Sequence, residues 1–99
     1  MEVSFFHIFI KPRSAVTDEQ VKKQMNLALD WYKYSDYCWV VKTTSDSTKW
    51  QTRLKPLVEP SGALLIFKLD LSERHGWMAK GFWSWLRGDK PASGSQTKT

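Results

Sequence analysis

Residues 4–10, "SFFHIFI", carry apolar side chains on both sides of an extended chain: Phe6, Ile8 and Ile10 on one, Phe5 and Phe9 around His7 on the other. Alternate side chains of a strand point to opposite faces, so such a run suits a central strand covered from both sides. Lys11-Pro12 ends it, because proline cannot donate to a central ladder.

The next start signal is a capping box, Thr17 with Gln20, with Val16 and Val21 placed as a hydrophobic staple. Val21, Met25, Ala28 and Leu29 follow at one-face helical spacing and Lys22, Lys23, Gln24 and Asn26 take the wet side, which predicts a helix over 17–30. Aromatic and β-branched runs on either side of Ser35-Asp36 predict a hairpin, about 31–34 paired with 37–43. Trp50, Leu54, Leu57 and Val58 predict a second helix over 46–58, with Pro56 tightening or kinking its last turn. "EPSG" is a turn, and the apolar run 63–71 reads as a buried strand. The order β-α-β-β-α-β is that of an α+β, ferredoxin-like sandwich, a four-stranded antiparallel sheet with two helices on one face. A tryptophan-rich segment follows, with helical spacing at 78, 82, 85 and 86 that Gly76 and Gly81 weaken. Its aromatic density demands cover, and the sheet face opposite the helices is the expected place. Residues 1–87 read as one domain and 88–99 as a disordered tail.

With 99 residues, 41% apolar and 25% charged, the chain is long enough for one modest core. Its net charge of +5 permits an anionic partner such as nucleic acid, although many small domains are as basic without one. The single cysteine, Cys38, cannot close an internal disulfide and suits a reducing compartment. No basic-then-apolar leader is present, and no apolar run approaches the ~20 residues of a membrane span. A soluble, cytoplasmic protein with no membrane partner is expected.

"DWYKYSDYCWVVKT", residues 30–43, resembles the W-W-H-x-L-D-S-T-W-L-V signature of the SinR-like proteins, a group within the superfamily of the CRISPR-adaptation nuclease subunit. Trp31, Tyr32, Asp36, Trp39, Val40 and Val41 fall on that pattern. "TTSDSTKWQTRLKPLVEPSGALLIFKLDL" is similar to the family's polar turn, second helix and last strand, and "GWMAKGFWSWL" to its closing segment. The likeness spans about residues 3–87 and implies a ferredoxin-like fold, often in a homodimer whose last segments pack on the partner subunit. In the nuclease members the first strand ends in an aspartate that binds a divalent cation. Lys11, Pro12 and Arg13 stand there in this chain, where a hard cation needs carboxylate oxygens. The resemblance therefore implies no nuclease site of the familiar kind. A diverged metal-dependent endonuclease or toxin-like ribonuclease using Asp30, Asp36 or Asp70 is the enzymatic alternative.

Those three carboxylates form no Asp-x-Asp or Glu-x-Lys group, and helix end, turn and strand end account for them. His7 and His75 lack neighbours at metal-ligand spacing, Cys38 lies between Tyr37 and Trp39 with no base beside it, and no phosphate-binding glycine loop occurs. No catalytic residue, metal or cofactor is assigned. A basic and aromatic surface is the positive reading: Lys11 and Arg13 leave the first strand, Lys33 and Lys42 lie on the hairpin, Lys68 lies on the last strand, and Tyr32 and Tyr34 share a face. Rings on a sheet can stack unpaired bases at about 1–3 kcal/mol each. They also serve cores and subunit interfaces, and the ribonucleoprotein K/R-G-F/Y motif is absent. Trp77, Phe82, Trp83 and Trp85 are candidate interface residues. The expectation is a small non-catalytic module that forms a homodimer and binds nucleic acid or a nucleic-acid-handling protein. A purely protein-binding module is the other alternative.

Overall fold

The computed structural model describes residues 2–77 and 80–88. Among these, β1 (Ser4–Lys11), α1 (Asp18–Met25), β2 (Asp30–Ser35), β3 (Cys38–Thr43), α2 (Ser47–Val58), β4 (Ala63–Lys68) and α3 (Lys80–Arg87) follow in order. The strands form one sheet, β2-β3-β1-β4, with every neighbouring pair antiparallel. β1 is central, as its two apolar faces require. The tail expected at 88–99 lies outside the described residues beyond Gly88, as does Met78 of the helical spacing.

The capping box forms as expected: Gln20 N donates to Thr17 Oγ1 at 3.2 Å and Thr17 N to Gln20 Oε1 at 2.8 Å. The helix ends at Met25, short of the expected residue 30, because Asn26 is claimed by the sheet. Its side-chain oxygen accepts the Trp31 indole N–H at 2.9 Å, and Leu29 N donates to Lys42 O at 2.8 Å. Residues 26–29 therefore turn into β2, which leaves Leu27 and Leu29 exposed. The hairpin forms with Asp36-Tyr37 as its turn, one residue later than expected. Asp46 caps α2 by accepting from Lys49 N at 2.9 Å, and Pro56 stays within the helix. β4 stops at Lys68 rather than 71: Leu69 N makes a last bond to Phe5 O, then Asp70 turns the chain by accepting from Ser72 N and Oγ.

One face of the sheet packs on α1 and α2. Phe6, Ile8, Ile10, Trp39 and Val41 meet Val21, Met25, Trp50, Leu54 and Val58 there. Buried indoles need a hydrogen-bond partner. Trp50 Nε1 finds the buried Thr43 hydroxyl at 3.2 Å, which ties the first turn of α2 to the end of β3. On the other face Val40, Tyr32 and Phe5 pack against Phe82, Trp85 and Leu86 of α3. The closing segment thus covers this chain's own sheet.

Two glycines respond oppositely to a methyl group. A Cβ at Gly62 would stand 2.2 Å from Lys11 O and 2.9 Å from Val58 O, backbone atoms that cannot swing aside. At Gly81 it would meet only the Tyr32 hydroxyl, at an ordinary 3.6 Å. Gly62→Ala is expected to cost about 2 kcal/mol in urea denaturation. Gly81→Ala is expected to stabilise by about 0.5 kcal/mol, since alanine loses less backbone entropy in a helix.

Candidate functional site

Among the described residues, the sheet face away from α1 and α2 is covered over only part of its width. α3 lies on β2 and β3, with the Tyr32 ring 5.1 Å from Phe82 and 5.6 Å from Trp85, and Phe5 6.0 Å from Trp85. Trp85 Nε1 donates to Asp30 Oδ2 at 2.7 Å, which ties the helix to the first residue of β2. The rest of β1 and all of β4 lie away from these contacts. There Phe9 meets Tyr37 edge-on at 6.0 Å, and Leu65 and Phe67 are 53% and 56% exposed. Among the described residues β4 is an edge strand, so this apolar strip runs beside backbone groups with no partner strand there, an arrangement that soluble proteins usually cover.

His7 marks the border between the covered and open halves. It sits opposite Val40 in β3 and Phe67 in β4, and its Nε2 is hydrogen-bonded to the Tyr34 hydroxyl, which reaches across from β2. Burial pulls the His7 pKa below 6.5, so the imidazole is neutral at physiological pH. Burial, followed by the adjacent Cys38 thiol, raises the Tyr34 pKa above 10.0, so the phenol keeps its proton. Beside this pair a cleft of about 400 Å³ opens between the sheet, α3 and residues 69–76. Its walls are apolar (Val40, Leu69, Leu71, Phe82, Trp83, Leu86), while Asp70, Glu73, Arg74 and His75 supply polar groups from one side.

The residues expected to form a basic, ring-lined surface divide between the two faces. Tyr32, Tyr34, Lys42 and Lys11 belong to the α3 side, where α3 lies over Tyr32 and leaves Tyr34 exposed. Lys33 points to the helix side, bonded to Asp18 Oδ1 at 2.9 Å with its ammonium 5.3 Å from the Trp39 ring centre. Lys68 pairs with Phe6 and shares that side, while Arg13 reaches α2, its Nε donating to Pro56 O at 3.4 Å. Lys11, Lys42 and Lys68 enter no ion pair among the described residues. Of the candidate interface residues, Phe82 and Trp85 are buried on their own sheet, Trp83 is half-buried with its ring 5.3 Å from Phe82, and Trp77 is 98% exposed.

The three carboxylates stand apart. Asp30 and Asp36 lie at opposite ends of β2, roughly 20 Å along an extended strand. Asp30 is engaged by Trp85 and by Trp31 N, and the Ser72 hydroxyl and amide hold the Asp70 pKa below its ordinary value. Among the described residues no group of three or more His, Cys, Asp and Glu side chains is placed to hold a metal ion, and no helix is long and apolar enough to cross a membrane. The His7–Tyr34 pair and the Trp85–Asp30 bond were not legible in sequence. The former bridges two strands with a third between them, and the latter joins residues 55 positions apart.

Because folding depresses the His7 pKa, the unfolded chain takes up a proton near pH 6.5 while the folded chain resists it. Stability is expected to fall as pH drops below 6.5, until folded His7 also protonates. His7→Gln is expected to flatten that part of the slope in urea denaturation followed across pH. Trp85→Phe keeps the ring contacts but removes a donor to a carboxylate, and is expected to cost about 1–3 kcal/mol in the same measurement.

No family model, curated protein or solved structure matches this chain.

Proposed function

We propose that this chain is a non-catalytic module of the ferredoxin-like type that pairs with a second copy of itself and binds nucleic acid. Read from the β4 edge, the strand order is 4-1-3-2, with α1 and α2 on one face. That order supports the ferredoxin-like reading and fits the SinR-like resemblance of residues 30–43. The observation that carries self-association is the open strip of Leu65, Phe67, Phe9 and Tyr37 beside the unpaired edge of β4. A two-fold axis perpendicular to the sheet at this edge would set two β4 strands antiparallel, pairing both edge ladders and bringing Leu65 and Phe67 of the two copies side by side on one face. The charge of +5, doubled in a dimer, and Lys11 and Lys42 on the α3 side, which enter no ion pair among the described residues, support a polyanionic partner. The separation of Asp30, Asp36 and Asp70 supports a binding role over hydrolysis.

Light scattering at micromolar concentration is expected to give twice 11.6 kDa, unchanged in high salt because an apolar contact is not screened. Leu65→Glu with Phe67→Glu is expected to return the monomer with an unaltered circular dichroism spectrum. A wild-type monomer throughout the micromolar range defeats the self-association reading. Binding to single-stranded RNA or DNA, followed by anisotropy, is expected to weaken steeply between low and physiological salt. Divalent-metal-dependent cleavage that disappears in Asp36→Ala would overturn the non-catalytic reading.

A further inference from the structure

We infer that the cleft between His7, Tyr34, α3 and residues 69–76 is a binding site for one heteroaromatic ring of the nucleobase class. The inference rests on the nucleic-acid reading only for the source of that ring. At about 400 Å³ the cleft is of the size that holds a small ligand, near the lower end of the usual range of roughly 300–1,000 Å³. Its interior offers ring surfaces rather than a plain aliphatic lining. Phe82 and Trp83 lie at 74° to each other, Tyr34 is 6.3 Å from Phe82, and His7 is 5.6 Å from Tyr34. A flat ring stacks on such walls, and stacking of a base on an aromatic side chain is worth about a tenfold or greater change in affinity.

The polar groups select a heterocycle over a hydrocarbon. A phenol hydroxyl has one proton and two lone pairs, and the bond to His7 uses one of these three positions whichever tautomer the imidazole adopts. The adjacent Cys38 thiol takes a second, and the one position left is available to a ligand in the cleft that Tyr34 lines. Of the side groups, Glu73 accepts N–H bonds and Arg74 donates, so a ring edge with donors and acceptors side by side is matched on both counts. Asp70 is partly committed to Ser72 and, with Glu73, puts two carboxylates near the mouth against one guanidinium. That balance disfavours a phosphate inside the cleft, so the ring is the group captured. An unpaired base in a strand and a free nucleoside share this chemistry.

The test combines nucleoside titrations, read by NMR at the His7 ring and the Val40 and Leu71 methyls, with oligonucleotide binding read by anisotropy. Adenosine, guanosine, cytidine and uridine are each used at millimolar concentration against the full chain. The expected result is a saturable shift at all three probes with at least one nucleoside. Tyr34→Phe, which keeps the ring and removes the hydroxyl, is expected to weaken binding about fivefold to tenfold. Leu71→Trp is expected to fill the cleft and abolish the shift, with a spectrum away from the cleft that shows the fold intact. Saturation by nucleosides without oligonucleotide binding keeps the cleft and assigns it a free nucleoside, and then the polymer reading falls. Salt-dependent oligonucleotide binding that is indifferent to both substitutions, with no nucleoside shift, overturns the cleft assignment and leaves the polymer reading standing. Silence in both assays overturns both.

Discussion

The architecture depends on one constraint: a central strand, β1, that is apolar on both faces and must be covered from both sides. Two helices close one face over its central strands, which is why Ile8 and Trp39 are almost without exposure. The other face receives a single helix. A helix with its side chains is about 10–12 Å across, and strands lie about 4.8 Å apart, so one helix covers roughly two strands of four. α3 covers β2, β3 and the Phe5 end of β1. The strip on β1 and β4 follows from that width, and the cleft follows from the gap beside α3 that residues 69–76 line without closing.

The tryptophans fix the joints between layers. Trp31, Trp50 and Trp85 each bury a large ring and place their N–H on a group at the end of an element: Asn26 after α1, Thr43 at the end of β3, Asp30 at the start of β2. Asp30 and Trp31 are neighbours whose side chains point to opposite faces of β2. The dipeptide therefore anchors α1 beneath the sheet and α3 above it. Carboxylate-to-indole bonding also explains why Asp30 has a structural role although its position beside an aromatic strand drew attention as a catalytic candidate.

Elements whose local physics agrees with their final place were readable from sequence. The capping box, the Trp50–Leu54–Val58 stripe, and the alternation of Trp39 and Val41 against Val40 all needed only spacing. Misplaced boundaries share one cause, a specific hydrogen bond that overrides the apolar pattern. Ala28 and Leu29 continue the helical spacing, yet the bond from Leu29 to β3 takes the chain out of the helix. The Asp70–Ser72 turn likewise ends β4 within a continuous apolar run. The cleft was illegible for a different reason. It draws on β1, β2, β3, α3 and the segment after β4, and no sequence pattern specifies that strand order together with the seat of α3.

Two partners competing for one face would need to be accommodated by its two halves. A polyanion gains nothing by covering Leu65 and Phe67, because phosphate cannot replace the contacts those side chains lack and would itself lose water. A second copy of the same strip supplies apolar surface and edge hydrogen bonds together. Near Tyr34 the balance reverses: the hydroxyl retains polar capacity and the rim carries charge, so an apolar partner would strand those groups without bonds. His7 sits at the join, facing Phe67 on one side and Tyr34 on the other. Its neutral imidazole can lie against apolar side chains and still bond the phenol, where a lysine or an arginine would keep a charge that the strip cannot solvate.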